Sequence, residues 1–533
     1  MTAGAMAAYR SAAHPGHSGF GPLVRAEWTK FRTVRGWVIG MVVAALVTVG
    51  VGLLARDSCG MGNGTACSLP LGPGGEAVAD SFYFVRQPLD GNGSITVRVT
   101  SLTGRIPSGS SSARVPAGGG GGAGGPHQQM RSGLEPWSKT GIILEASTSQ
   151  GAAYAAVMVT GTHGVRMQYD YTGDTAGLAG SVSAASPRWL RLVRDGDTVT
   201  GYDSADGVSW TKVGAARLAG LPSRVQAGLF AASPGYSQTL SQSLGGSTGT
   251  GGPTLATGTF DQVSRAGSWL GGRWTGSDIG GPGAMYPQAP GAFQQAGDRI
   301  TVTGSGDIAP DVPGAANAGG SDIAQTLVGT FAGLMAVVVV ATMFITAEYR
   351  RGLIRVTMTA VPRRGLVLAA KAVVTFAVVF VTGLVAAAIA LPLGEQTIRK
   401  GGSFIDPVSR LTELRLVAGT AALLAVAAVL ALAIGTMVRR SAVAVTAVIV
   451  VIVAPYILST FLSNGATQWL LRVTPAAGFA IQGAYPRYSQ ITVSSAAGGG
   501  YYPLAPWAGL AVLTGWAAAA LALAVFLLRR RDA

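Results

Sequence analysis

Six apolar runs dominate the hydrophobic pattern of the chain, at residues 37–55, 323–347, 372–393, 416–438, 442–462 and 504–528. A bilayer core needs about 20 mostly apolar residues to be crossed as a helix. None of the six runs contains an acidic residue. Their Ala, Gly and Val content suits close helix packing in lipid. Pro455 falls inside the fifth run, where neighbouring helices can satisfy the carbonyl it frees. The pattern predicts six transmembrane helices.

Between the first two runs, over residues 56–322, the period changes from helical to alternating. "SITVRVTSL" (94–102), "GVRMQYDY" (164–171), "AGLFAA" (227–232) and "DRITVTG" (298–304) alternate apolar and polar positions. "RWLRLVRDGDTVTGYDS" reads as a hairpin turning at Asp195, Gly196 and Asp197. Strands at this spacing, with Gly/Asp turns and no helical period, predict an inserted all-β antiparallel sandwich with its core at about 76–320. The tracts "AGGGGGAGG" (117–125) and "GGSTGTGG" (245–252) are expected to be flexible loops within it.

Charge then orients the spans. The chain is 48% hydrophobic and only 12% charged, with a net charge of +15. Its basic residues crowd at the ends of the apolar runs instead of forming a soluble basic face, which argues against nucleic-acid binding. Arg25, Lys30, Arg32 and Arg35 precede the first span, and Arg350, Arg351, Arg355, Arg363, Arg364 and Lys371 join the second to the third. Arg439 and Arg440 follow the fourth, and Arg529, Arg530 and Arg531 follow the sixth. These are alternate loops, so the positive-inside rule places both termini in the cytoplasm and residues 56–322 outside. The loop 394–415, with Arg399, Lys400, Arg410 and Arg415, fits this rule least well. Residues 1–20 read as a disordered cytoplasmic tail without a signal peptide. Cys59 and Cys67 form a small disulfide loop if they lie outside, or stay two free thiols; their spacing does not suggest a metal site.

The bridge between spans two and three is more organised than topology requires. "EYRRGLIRVTMTAVPRR" carries Glu348 and Tyr349 at the membrane edge, a break at Gly352, a short amphipathic stretch and a stop at Pro362. Before the first span, Leu23, Val24, Trp28 and Phe31 can share one face of a basic interfacial helix.

With "LVRAEWTKFRTVRGW", "EYRRGLIRVTMTAVPRRGLVLAAK", "VTPAAGF" and the C-terminal "FLLRRRDA", the chain resembles the membrane subunit of actinobacterial ABC-2-type ATP-binding-cassette transporters. The resemblance covers 21–55 and 324–533, somewhat under half of the chain. It implies an amphipathic interface helix at 21–35, with Arg25, Glu27, Trp28, Lys30 and Arg32. It also implies a coupling segment within 348–371 that fits a groove on a separate ATPase subunit. Glu348, Tyr349, Arg350, Arg351, Gly352, Arg355, Pro362, Arg363 and Arg364 are the coupling candidates. Pairing with a second permease subunit, as a homo- or heterodimer, follows from the same resemblance. The long segment 56–322 departs from it, since such proteins usually carry a short loop there.

A P-loop requires GxxxxGK[ST], and the chain contains no Gly-Lys dipeptide. The expectation is a transporter subunit that is not itself an enzyme and binds no cofactor, with ATP–Mg held by the partner. The stretch from "WSKTGIILEAS" to "VQAGLFAAS" also looks like a concanavalin-A/laminin-G-like domain, a resemblance that implies a jelly-roll sandwich. Trp137, Trp210, Trp269 and Trp274 are its candidate contacts to cell-wall glycan, in a rival reading as a membrane-anchored glycan-binding protein. An anchor needs one span and has no use for a structured cytoplasmic bridge, so transport is the favoured reading.

Overall fold

The computed structural model describes residues 19–54, 69–108, 129–241, 247–280, 288–312, 321–350, 352, 363–401, 403–459, 462, 464–491 and 502–530. Of the sequence-predicted site residues, Cys59, Cys67, Arg351, Arg355 and Pro362 lie outside them, as does the tract at 117–125.

Helix α1 (Phe20–Thr33) meets α2 (Arg35–Leu54) across the extended Val34. After the β domain come a 3-10 turn (Ile323–Leu327), α3 (Thr330–Arg350), α4 (Arg364–Lys400), α5 (Arg410–Val438) and α6 (Ser441–Ser459). The short α7 (Asn464–Val473), a second 3-10 segment (Pro475–Gln482) and α8 (Pro506–Arg530) complete the bundle. Among the described residues, six helices are long and apolar enough to cross a membrane: α2, α3 with its preceding turn, α4, α5, α6 and α8. Helix α5 is the axis of the bundle. Residues 421–433 are buried except at 422 and 429, because its alternating Ala and Leu side chains allow neighbours to close in from every side. Helix α2, by contrast, exposes Val38, Val42 and Leu46 in one row.

Helices α2 and α3 cross at a small-residue contact. A Cβ on Gly329 would collide with the Thr48 carbonyl oxygen, and one on Gly333 with Thr48 Oγ1. The GTFAG stretch 329–333 is thus a small-xxx-small seam. The expected loop 394–415 shrinks to residues 401–409, since α4 continues through the polar "GEQTIRK" to Lys400. Arg399, Lys400, Arg410 and Arg415 are consequently helix-end residues. Residues 464–482 also differ from a simple polar break. The 3-10 segment Pro475–Gln482 is buried throughout, and Gln482 Nε2 donates to Thr330 Oγ1 at 3.0 Å and Thr420 Oγ1 at 3.2 Å.

Residues 69–312 hold strands β1 (Val78–Asp80), β2 (Phe82–Pro107), β3 (Met130–Ser132), β4 (Lys139–Glu145), β5 (Tyr154–Thr160) and β6 (Val165–Tyr169). These are followed by β7 (Gly173–Ala176), β8 (Arg188–Asp195), β9 (Thr198–Ser204), β10 (Thr211–Arg217), β11 (Arg224–Ala232) and β12 (Tyr236–Ser241). The last six are β13 (Ser247–Gly252), β14 (Leu255–Trp269), β15 (Thr275–Ile279), β16 (Ala292–Ala296), β17 (Arg299–Gly304) and β18 (Ile308–Pro310). The strands form a large antiparallel sandwich. Its main path runs β10-β9-β8-β2-β11-β4-β5-β6-β7, and β14, β15 and β17 complete it from the C-terminal side.

The long β2 pairs with β11 and β15 through its first half and with β8 and β14 through its second. Every residue of β4 and β5 is buried, although side chains alternate between faces. Ile142, Leu144 and Val157 enter the core between the layers, while Ile143, Tyr154 and Met158 enter a second core beneath the β1/β18 ribbon. Lys139, fully buried, fastens this ribbon through Asp307 Oδ1 at 2.7 Å and the Ile308 carbonyl at 3.0 Å. The tract at 245–252 is not only a loop, because Ser247–Gly252 pairs with β12. Beyond α7, Gln490 Nε2 donates to the Tyr171 carbonyl at 2.8 Å and joins bundle to sandwich.

Candidate functional site

One end of the bundle gathers the starts of α2, α4 and α6 and the ends of α3, α5 and α8, all of them flanked by arginine. Arg364 Nη1 donates to the Leu528 carbonyl at 2.8 Å, and the Arg439 guanidinium lies 5.1 Å from the Tyr349 ring centre. Here the sequence bridge leaves the bundle. Gly352, at φ 68°, donates its N–H to the Tyr349 carbonyl and ends α3 in the left-handed conformation that glycine tolerates best. The bridge returns at Arg363, the N-cap of α4.

Four charged side chains pin the roots of this bridge. Lys371 Nζ, in α4, lies 2.6 Å from Glu27 Oε2 of α1 and 2.7 Å from Glu348 Oε1 of α3. Lys30 Nζ reaches Glu27 Oε1 at 2.8 Å and Glu348 Oε1 at 3.3 Å. Lys371 is fully buried, and Glu27 and Glu348 are nearly so at 3% and 8% exposure. Two cations and two carboxylates make the group formally neutral, which is how charges persist in a dry interior. Burial works against the Lys30 ammonium, but the Glu27 and Glu348 carboxylates outweigh it and hold its pKa above the ordinary lysine value. Aromatic rings close the group. Lys371 Nζ lies 4.6 Å from the Phe344 ring centre, and Phe31 and Trp37 meet Phe344 edge-on at 5.5 and 6.0 Å.

The predicted residues therefore divide. Arg350 and Arg363 are exposed at the roots of the bridge, and Arg364 and Tyr349 are half-buried in the bundle end. Glu348, expected as a polar contact for a partner, instead turns inward to the two lysines. On α1, Arg25 and Arg32 are exposed and Phe31 packs into the bundle, whereas Trp28 remains 46% exposed. Glu27 faces the cluster and not the surface, whereas Lys30 reaches the cluster from a half-exposed position. Lys371 counts in the sequence only as one more basic residue. The signal that marks it is the isolation of each partner. Glu27 is the single acidic residue of 19–54, Glu348 that of 344–371, and Lys371 enters an apolar helix.

In the sandwich, Trp137 does not serve as a surface platform. It is 4% exposed and stacks on His163 at 3.9 Å and 9°, so its faces are taken up by the fold. Trp210 is half-buried with the Arg191 guanidinium 3.9 Å from its ring centre. Arg265 lies 5.7 and 5.4 Å from the rings of Trp269 and Trp274. Asp206 Oδ1 accepts from the N–H groups of Val208 and Ser209, each at 2.8 Å. These bonds lower its pKa, the behaviour of a turn aspartate.

A family model described as ABC-2 family transporter protein matches residues 202–533. The match begins within β9 and takes in every span but the first, so it enters the sandwich that the sequence motifs left out. No curated protein matches the chain. Among solved structures, similarity is found to a functionally unknown protein from Saccharomyces cerevisiae, at 12% identity, covering 38% of this chain and 83% of that one, with a TM-score of 0.22. The GH43 protein BlXynB (K247S mutant) from Bacillus licheniformis is similar at 16% identity over 26% of this chain and 24% of its own, with a TM-score of 0.16. Scytalido-glutamic peptidase, with a transition state analog inhibitor, is similar at 8% identity over 42% of this chain and 98% of its own, at 0.23. Similarity at these scores assigns no activity to the sandwich.

Proposed function

The chain belongs to the ABC-2 family of transporter membrane proteins, and from that premise we propose that this permease works in an ATP-driven exporter, coupled through segment 348–364 to a separate ATPase subunit. A second permease subunit completes the translocation path. ATP–Mg is bound and hydrolysed on the ATPase, since this chain has no phosphate-binding Gly-Lys loop. Both termini and the bridge face the cytoplasm, and the sandwich stands outside, next to the exit.

The observation that carries the coupling reading is the cluster of Lys371, Glu348, Glu27 and Lys30. It binds the last turn of α3, the first turns of α4 and the interface helix α1 into one unit on either side of the bridge. A force applied to the bridge then reaches three helices through short, charge-assisted contacts, which are stronger than neutral hydrogen bonds. A topology marker would need the positive charge alone. Outside, the sandwich meets the bundle through Gln490 and Tyr171, a contact suited to a gating or recognition role at the exit.

The test is co-purification of the full chain with its cognate ATPase subunit, read as ATP hydrolysis. Reversing the charges of Arg350, Arg351 and Arg355 is expected to lose the ATPase while the chain stays folded. Retention of an active complex by that variant would assign the charges to topology and refute the coupling role.

A further inference from the structure

At the opposite end of the bundle a cavity of about 520 Å³ separates the β1/β18 ribbon from the α4–α5 connection, the segment after the second 3-10 turn and the approach to α8. A space of this size is in the range of small-molecule sites. Asp406 lies on its wall at 2% exposure, and neither carboxylate oxygen has a hydrogen-bond partner among the described residues. Glu76 and Tyr485 line the same cavity, and Glu76 Oε1 is likewise buried without a hydrogen-bond partner among the described residues. Buried polar groups are ordinarily hydrogen-bonded and buried carboxylates paired, so several orphaned oxygens around one space call for donors from within it.

The surrounding charges sharpen this demand. Asp311 shares the wall. Asp322 is held beside residues 404–406 by the bond from Ser321 N to the Phe404 carbonyl at 2.8 Å. Its own Oδ1 accepts from Ala324 N at 2.8 Å. Two cations also line the cavity, but both are directed at backbone. Arg415 Nη2 donates to the Gly483 carbonyl at 2.6 Å and Arg487 Nη2 to the Tyr502 carbonyl at 2.8 Å. Arg415 Nε is buried without a partner, and neither guanidinium pairs with Asp406. Val312, Val408 and Leu504 give the cavity an apolar side.

We propose that this cavity binds an organic ammonium, a primary amine whose N–H groups donate to Asp406, Glu76 and Tyr485 while its apolar part lies against Val312, Val408 and Leu504. Burial, with Asp311 and Asp322 close by, pushes the Asp406 carboxyl up to about 9, so in neutral solution without a cation it holds a proton. The ammonium replaces that proton. The acid becomes a carboxylate paired with the amine, and one proton passes to solvent for each amine bound. Binding at this site does not depend on the transport reading and is measured without an ATPase, so failure of either leaves the other standing.

The full chain, purified in detergent, is titrated near neutral pH with dansylcadaverine, a primary amine carrying an apolar fluorophore. Saturable fluorescence enhancement is expected, with release of about one proton per probe in weakly buffered solution. The matching dansyl alcohol is expected to bind at least about tenfold more weakly, because it brings no charge. Asp406→Asn keeps the volume and is expected to weaken the amine by about tenfold or more and to abolish proton release. Tyr485→Phe is expected to weaken it by a smaller factor, and melting curves confirm that both variants are folded. The proposal is overturned if the folded wild type shows no saturable binding, if Asp406→Asn binds the amine unchanged, or if the alcohol binds as tightly as the amine.

Discussion

Lys371 and Glu27 are 344 residues apart in the chain, yet their side chains meet at 2.6 Å (Nζ to Oε2) inside the bundle. The contact joins the helix preceding the first span to the second turn of the third. Glu348 completes the arrangement at 2.7 Å from the same ammonium.

Removing Lys371 should be costly, because Lys30 is then left to balance two nearly buried carboxylates alone. Lys371→Met is expected to destabilise the protein by about 3–5 kcal/mol, seen as a lower melting temperature of the solubilised chain. Adding Glu27→Gln should recover part of that loss, since one stranded carboxylate is then gone. A double variant as unstable as the sum of its single losses would mean that the groups do not act together.

The seam between α2 and α3 predicts a difference between two chemically identical substitutions. In Gly329→Ala the new methyl meets the Thr48 backbone oxygen, which cannot move aside; in Gly333→Ala it meets the Thr48 hydroxyl, which can rotate. Gly329→Ala is expected to cost about 1–3 kcal/mol and Gly333→Ala distinctly less. Thermal melts of the two variants in one detergent decide the matter, and equal losses would place the steric contact elsewhere.

The acid group at the junction makes stability depend on pH. The Asp406 carboxyl is raised to about 9 and Asp322 to about 7, burial being the main cause in each. A carboxyl whose pKa is raised in the folded state favours folding while it is protonated. Its contribution declines as pH rises from the ordinary carboxylate range to the folded-state value. Asp406→Asn carries no such penalty. It is expected to melt above wild type at about pH 8 and close to it near pH 4, which a melting series across that range would test.

Within the sandwich, the tryptophans should separate by role. Trp137→Ala empties a buried stacked site and is expected to cost about 3–5 kcal/mol. Trp210→Ala removes a half-buried ring and one guanidinium stack, worth about 0.5–1 kcal/mol. Similar melting temperatures for the two variants would contradict the packing seen around Trp137.

Much of this architecture is legible in the chain because it depends on short-range regularities. An apolar run of the length of 323–347 has few stable alternatives to a spanning helix, since lipid offers its backbone no hydrogen-bond partner. The hairpin of β8 and β9 is visible because Asp195, Gly196 and Asp197 supply a turn between alternating strands. The buried 3-10 segment at 475–482 was not legible. Its small and apolar residues suit a loop or an interior equally well, and only the polar groups of Thr330 and Thr420 give Gln482 a place. Trp137 misled for a related reason, because composition does not reveal which face of an aromatic ring is already covered by His163.

The sequence alone determined six spans, an inserted β domain and the concentration of positive charge at alternate span ends, each a property of neighbouring residues and their period. Tertiary structure decided which charges are structural. Glu348 and Lys371 read as surface groups until α1, α3 and α4 converge, and Asp406 reads as a loop carboxylate until the β1/β18 ribbon closes over it. The energy of a charge depends on the medium and partners around it, and these come from segments hundreds of residues away.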